Sequence, residues 1–149
     1  MTSEYRAVIV GAGRKAGLID DERQPGDRAW LKPWTHASAY QAVPGCRVVA
    51  AADPKDDMLQ QVCDRYSIPG RYHDYREMID KEDGKVDAVI VSTADHHHVP
   101  ASIRAIRKGM HVYCEKPLSH TVSEARLVTE EAKRMGVATQ LGTQIHAGN

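Results

Sequence analysis

The stretch that decides the fold lies near the start of the chain, at residues 6–17, and reads RAVIVGAGRKAG. An apolar, mostly β-branched run leads directly into a turn that carries Gly11 and Gly13. Such a continuous apolar run is typical of a strand covered on both faces, as in a parallel sheet. Glycines after the strand would let backbone N–H groups approach a phosphate, because no side chain blocks the way.

The glycine spacing matches the G-x-G-x-x-G/A pattern of a loop that binds the pyrophosphate of a dinucleotide. In this pattern Gly11 allows the tight turn, and Gly13 allows the backbone to approach the phosphates closely. The third small position falls on Ala16, or on Gly17 if the loop is one residue longer. An ordinary glycine turn remains the alternative, because so short a pattern also arises by chance.

A dinucleotide loop also needs an acid about 20 residues further on, at the end of the second strand, to bind the adenosine ribose hydroxyls. The candidate is Asp53, which ends the apolar run RVVAAAD and lies 42 residues after Gly11. The gap falls to 26 if the sixteen residues 18–33 form a surface excursion near the cofactor. If the loop is an ordinary turn, Asp53 only caps the next helix.

The same carboxylate sets the expected cofactor. Asp53 favours NAD over NADP, because a carboxylate repels the 2′-phosphate of NADP. Lys55 stands two residues further on and would weaken that preference, so NADP stays an alternative.

The rest of the chain alternates between strand and helix patterns. Further apolar runs read VDAVIVST at 86–93, HVYCEK at 111–116 and, more weakly, GVATQLGT at 136–143. Segments of helical period lie between them, and alternation of this kind favours right-handed βαβ units. The sequence therefore predicts an α/β fold, a Rossmann-like doubly wound parallel sheet that forms one domain over residues 1–149.

Several helices have clear end signals. Thr35 is predicted to cap a displaced first helix that faces the sheet with Ala37, Tyr40 and Val43. Pro54 is predicted at the first position of the next helix.

The last helix has the strongest signals of all. Thr121 and Glu124 have the spacing of a capping box, and Gly136 follows as the stop. The apolar stripe of this helix is predicted at Val122, Ala125, Val128, Ala132 and Met135.

Composition argues against several classes of function. Twenty basic residues offset twenty acidic ones, so no overall field attracts nucleic acid or an anionic membrane. Three cysteines without CxxC spacing predict free thiols in a reducing compartment. No signal segment and no apolar run of about 20 residues is present, which predicts a cytoplasmic protein.

Three adjacent histidines, His96, His97 and His98, raise the question of a metal site. Adjacent side chains do not project to one side, and no second ligand cluster is evident, so no metal is expected. A metal-dependent hydrolase remains a distant alternative.

Residues 86–137 carry a more specific signal, with Thr93 to His98 after one strand and Glu115, Lys116 and Pro117 after the next. This pattern resembles the N-terminal half of the glucose-fructose oxidoreductase, inositol dehydrogenase and MocA family. In that family a Thr-Pro-x-x-x-His turn follows one strand, and Glu-Lys-Pro ends the next. Residues 36–53 are similar to its first helix and second strand, so the resemblance covers essentially the whole chain.

The resemblance implies an NAD(P)-dependent oxidoreductase that transfers hydride at a hydroxyl-bearing carbon of a sugar, cyclitol or related polyol. It implies a catalytic role for Lys116, which would reach the reacting hydroxyl. The cofactor-binding residues that it implies are Gly11, Gly13, Arg14, Lys15 and Ala16 at the pyrophosphate, Asp53 at the adenosine ribose, Thr93 and His98 in the cleft, and Glu115, Lys116 and Gln144 near the nicotinamide.

The sequence also departs from the family pattern. Ala94 stands where the family commonly has proline, and the loop lacks a clean third glycine. The family's second domain, which supplies most of the substrate pocket and the usual oligomer contacts, is not among these residues. We therefore expect the N-terminal part of a two-domain protein, inactive by itself and a homo-oligomer through the other domain. A stand-alone NAD-binding sensor, which would need no Lys116, is the alternative.

Overall fold

The computed structural model describes residues 4–22 and 33–143. Its centre is a six-stranded sheet in the order β3-β2-β1-β4-β5-β6, in which every pair of neighbours is parallel. The strands are Tyr5–Val10 (β1), Cys46–Ala52 (β2), Gly70–Tyr72 (β3), Ala88–Val91 (β4), His111–Glu115 (β5) and Thr139–Gly142 (β6). The predicted Rossmann-like α/β fold is confirmed, whereas the three-residue strand β3 was not predicted.

Helices cover both faces of the sheet. They are His36–Gln41 (α1), Asp56–Arg65 (α2), Tyr75–Lys81 (α3), His98–Arg107 (α4) and Val122–Met135 (α5). Alternate residues of β1 enter separate apolar clusters: Ala7 and Ile9 pack with residues of α1 and α2, and Val8 and Val10 pack with residues of α3, α4 and α5. Because successive side chains of a strand point to opposite faces, the continuous apolar run of β1 is buried on both sides.

The strand order places a crevice at the carboxyl edge of the sheet. β1 pairs with β2 on one side and with β4 on the other, so the chain reverses its direction of winding at β1. Ligands of open α/β sheets bind outside the carboxyl ends of the strands at such a switch point.

The predicted helix caps are present. Thr35 accepts a hydrogen bond from the Ser38 N–H, and Thr121 and Glu124 form the complete capping box of α5. Two predicted stripe residues are wrong, because Val43 is 52% exposed and Val122 is 68% exposed. Val43 lies beyond the end of α1, and Val122 is the first residue of α5, so the helical spacing does not turn either residue to the core.

The predicted place of Pro54 is also wrong. Helix α2 begins at Asp56 with Lys55 at the cap position, so Pro54 precedes the helix. The Asp53 carboxylate accepts the Lys55 N–H at 2.8 Å, and this local turn keeps the backbone extended for one more residue.

The predicted surface excursion begins inside the fold. Residues Arg14–Leu18 form a π-helical turn, and Ile19–Glu22 form a 3-10 turn in which Ile19 and Asp20 are buried. The prediction of a surface loop is therefore wrong for the first residues of the excursion. Residues 23–32 lie outside the described part of the chain.

All three cysteines are free, in agreement with the prediction. Among the residues that the structure describes, no helix combines the length and apolar character needed to cross a bilayer.

Candidate functional site

Four of the predicted site residues stand at one edge of the sheet. Gly11, Asp53 and Thr93 follow the ends of β1, β2 and β4, and Glu115 is the last residue of β5. Because the strands are parallel, their carboxyl ends share this edge.

Gly11 is locked between two neighbouring strands. Its N–H donates to the Ala52 carbonyl at 2.8 Å, and its φ of +92° lies in the left-handed region. A Cβ at this position would lie 2.5 Å from the backbone oxygen of Ser92, which follows β4. Glycine is therefore required here by the fold itself.

Gly13 has a different environment. A Cβ at this position would meet no atom within 4 Å, and the backbone is extended, with φ −82°. The space beside Gly13 is open, so the approach of a phosphate to the loop backbone is unobstructed.

The third small position of the loop is Gly17. A Cβ there would lie 2.9 Å from side-chain atoms of Val62 and Tyr66 on and just after α2. Ala16 is fully buried in the same apolar cluster. Of the two positions that the sequence left open, Gly17 makes the close helix packing that the pattern requires.

The Asp53 carboxylate joins the ends of β1 and β2. One oxygen accepts the Ala12 N–H and the other accepts the Lys55 N–H, both at 2.8 Å. Asp53 is only partly buried, and each oxygen retains a lone pair for a further donor. Asp53 thus braces the glycine loop while its carboxylate still faces a cavity.

Two adjoining cavities meet at Asp53, Pro54 and Thr93. The larger, which we name the Asp53 cavity, has a volume of about 440 Å³. Its other lining residues are Gly13, Arg14, Leu18, Glu22, Lys55 and Met58. The smaller, of about 250 Å³, reaches Gly11 and the residues around Tyr75.

His98 is buried and engaged on both sides of its ring. Nδ1 lies 2.6 Å from the Pro117 carbonyl oxygen, and Nε2 lies 3.0 Å from the Thr93 carbonyl oxygen. The ring therefore ties the turn after β4 to the turn after β5. His96 and His97 are exposed.

Glu115 pairs with His36, a residue that the sequence analysis did not single out. His36 Nε2 lies 2.8 Å from Glu115 Oε1, and since an ionised carboxylate only accepts, the imidazole donates. Burial lowers the pKa of His36, although the Glu115 carboxylate acts in the opposite direction. The sequence gives one sign of His36: it directly follows Thr35, the predicted cap of the displaced helix.

The His36–Glu115 pair lines a separate cavity of about 330 Å³, which we name the His36 cavity. Its other lining residues are Lys15, Pro33, Trp34, Thr35, Ala39 and Tyr113. The Lys15 ammonium lies 5.7 Å from the centre of the Trp34 ring. The loop cations diverge, since Arg14 lines the Asp53 cavity and Lys15 lines the His36 cavity.

Asp20 was also not singled out from the sequence. It connects the start of the excursion to the residues that follow its end. Its buried carboxylate accepts the Trp34 N–H and the Ser38 hydroxyl, both at 2.7 Å, and lies 3.3 Å from the Thr35 hydroxyl. The Tyr66 hydroxyl lies 3.1 Å from that of Thr35 and donates to the Gly17 carbonyl at 2.8 Å. This network joins the glycine loop to α1 and α2.

The last predicted residues stand apart. Lys116 is exposed, and its ammonium forms no hydrogen bond or ion pair with any residue that the structure describes. Gln144 lies outside the described residues. Within 4–22 and 33–143, no group of three or more His, Cys, Asp or Glu side chains is arranged to hold a metal ion.

Known proteins resemble this chain over most of its length. The sequence profile of a family described as "Oxidoreductase family, NAD-binding Rossmann fold" matches residues 5–143. The chain is 33% identical over 143 residues to scyllo-inositol 2-dehydrogenase (NAD(+)) of Bacillus subtilis (strain 168), covering 95% of this chain and 36% of the relative. It is 27% identical to D-glucoside 3-dehydrogenase of Escherichia coli (strain K12), covering 91% and 33%.

Solved structures show the same fold. The crystal structure of myo-inositol 2-dehydrogenase from Lactobacillus plantarum superposes with a TM-score of 0.79 at 23% identity, covering 99% of this chain and 38% of that one. The chain thus spans about a third of the length of the relatives that it matches.

Proposed function

This chain belongs to the oxidoreductase family with an NAD-binding Rossmann fold, and from that premise we propose that it is the nucleotide-binding domain of a sugar or polyol dehydrogenase. The reaction would move hydride between NAD and a hydroxyl-bearing carbon of a sugar, cyclitol or related polyol. The names of the relatives support this class of substrate, since they include an inositol and a glucoside dehydrogenase. The rest of the substrate pocket would come from a C-terminal domain, as the greater length of the relatives suggests.

The open space at Gly13 is the observation that carries the proposal. Gly11 is a glycine because the fold leaves no room for a Cβ, but nothing in the described fold restricts Gly13 in that way. A glycine with free space in front of it suits a loop that a pyrophosphate approaches. The Asp53 carboxylate, adjoining this space, suits a pair of ribose hydroxyls.

The remaining predicted residues have proposed roles around the loop. Arg14 and Lys15 would lie on either side of the pyrophosphate, and Thr93 would line the cleft that continues from Asp53. His98 would serve the cleft indirectly, because its ring holds the backbone of the two turns that form it. Glu115, oriented by His36, would stand at the nicotinamide end together with Lys116 and Gln144.

NAD bound at this edge would supply the hydride acceptor. Lys116 would act at the substrate hydroxyl, where its amino group removes the proton or its ammonium stabilises the developing alkoxide. The exposed ammonium, with no partner among the described residues, is available for that contact.

Replacing Gly13 by alanine tests the position of the diphosphate. Because φ −82° is accessible to alanine and the added Cβ meets nothing, the free energy of unfolding should stay the same or rise by up to about 1 kcal/mol. NAD affinity should fall about tenfold or more, because the methyl group occupies the space of the phosphates. Isothermal titration with NAD and thermal unfolding measure both effects. Unchanged affinity in a stable variant would remove the diphosphate from this loop.

Replacing Asp53 by alanine tests the ribose site. Loss of charged hydrogen bonds to two hydroxyls should weaken NAD binding about 10- to 100-fold. Asp57→Ala is the matched control, since Asp57 is an exposed acid in the first turn of α2 and lines none of the cavities around Asp53. Equal affinities for the two variants would remove Asp53 from the ribose site.

A further inference from the structure

Arg14 in the glycine loop does not face the Asp53 cavity as an unpaired cation. Its Nε and Nη2 groups donate to the two carboxylate oxygens of Glu22 in a bidentate ion pair. Both side chains line the Asp53 cavity. The fork of the guanidinium that best fits a carboxylate or a phosphate is therefore already occupied.

The position of Glu22 is set by the turn that carries it. Ile19–Glu22 is a 3-10 turn whose buried Asp20 is bonded to the Trp34 N–H and the Ser38 hydroxyl. Asp21, the residue before Glu22, forms a bidentate pair with Arg65 of α2. Since the backbone on which Glu22 stands is anchored at two points, less freedom is lost when it pairs with Arg14 than for a carboxylate on a free loop.

The charges around the Asp53 cavity bear on which dinucleotide fits. Asp53 and Glu22 supply two carboxylates, and Arg14 and Lys55 supply two cations. An NADP 2′-phosphate would stand beside the ribose hydroxyls, and so beside Asp53, with close to two negative charges at neutral pH. An arginine nearby is the group that normally accommodates such a phosphate. Here that arginine is paired with a second acid.

We propose that Glu22 is a specificity-determining residue, which selects NAD over NADP by holding the Arg14 guanidinium away from a 2′-phosphate. The inference rests on the proposed function, because it requires the adenosine ribose to bind at Asp53. The inference also gives the beginning of the excursion a role, because that segment places Glu22, which lies outside the glycine loop, at the cofactor site. Asp53 repels the phosphate directly, and Glu22 removes the cation that would offset this repulsion.

The test is a titration of the chain with NAD and with NADP, for the wild type and for Glu22→Gln, Arg14→Gln and the double variant. The wild type should bind NAD more tightly. Glu22→Gln should strengthen NADP binding about five- to tenfold more than it strengthens NAD binding, as expected when a unit charge near the surface loses its partner beside an additional phosphate. Both nucleotides carry the pyrophosphate, so only the excess gain for NADP reports on the 2′-phosphate. The gain should shrink at high salt, because the pair is exposed to solvent. In the double variant the gain should disappear.

Each other outcome has a distinct meaning. If Glu22→Gln gains no more affinity for NADP than for NAD, or if the excess gain persists without Arg14, Glu22 does not control the choice and the inference is overturned. A wild type that prefers NADP overturns it as well. If the wild type binds neither nucleotide, the proposed function fails together with the inference. Thermal unfolding of every variant excludes a loss of fold as the cause of a changed affinity. Glu22→Ala removes the same charge as Glu22→Gln and should have the same effect on NADP binding.

Discussion

Replacement of Gly11 by alanine is expected to lower the free energy of unfolding by about 3 kcal/mol. Two costs combine. The φ of +92° is strained for any residue with a Cβ, and the new methyl carbon would lie 2.5 Å from the Ser92 carbonyl oxygen. The atoms that meet the methyl group belong to the backbone, so no side-chain rotation relieves the overlap. Thermal or urea unfolding measures the loss.

Gly84→Ala is the matched control for this substitution. Gly84 has φ +70°, but a Cβ there would meet no atom within 4 Å. The control therefore has the left-handed strain without the overlap, and should cost only about 1 kcal/mol. If both variants lose the same stability, the contact with Ser92 is not what requires glycine at position 11. A larger loss for Gly11→Ala would show that the loop is fixed against β4 before any ligand binds.

The sheet could be predicted from the sequence because its central strands are buried on both faces. The apolar runs that became β1, β2, β4 and β5 are short and continuous and lie between helical segments, and this arrangement favours buried strands. Strand β3 was missed because it has only three residues, Gly70–Tyr72, which are too few for any periodic pattern. Its pairing with β2 is a tertiary effect.

Site residues could be predicted from the sequence only where they follow a predicted strand directly. The glycine loop and Asp53 follow their strands directly, so their places follow from the strand assignments. The His36–Glu115 pair joins residues 79 positions apart, and the sequence around either residue does not predict contact with the other. Asp20 likewise bonds to residues 14 to 18 positions away.

The start of the excursion shows a further limit of sequence patterns. Acids beside Pro and Gly are typical of a surface loop, and residues 18–33 have this composition. Asp20 is nevertheless buried, because the start of the displaced helix α1 and the two residues before it supply a backbone N–H and two hydroxyls. A carboxylate surrounded by donors is stable in the interior, and composition alone does not reveal the donors.

Replacement of Lys116 by methionine should lower kcat by at least about a hundredfold and leave the affinity for NAD unchanged. Methionine keeps most of the apolar stem, so the change removes the amino group with little loss of packing. The measurement rests on the proposed C-terminal domain and is made on a protein that contains it. NAD reduction would be followed with scyllo-inositol, myo-inositol and simple glucosides as substrates, and NAD binding would be titrated separately.

Two further variants separate the alternatives for Lys116. Lys133→Met removes an exposed lysine of α5, outside the cavities at the glycine loop, and should leave kcat unchanged. Lys116→Arg keeps the positive charge but cannot release a proton at neutral pH, so it separates charge stabilisation from proton transfer. Partial activity in the arginine variant would assign electrostatic stabilisation, and none would assign proton transfer. Normal turnover in Lys116→Met would show that this lysine is only a surface charge, and the reacting hydroxyl would then have to meet a different residue.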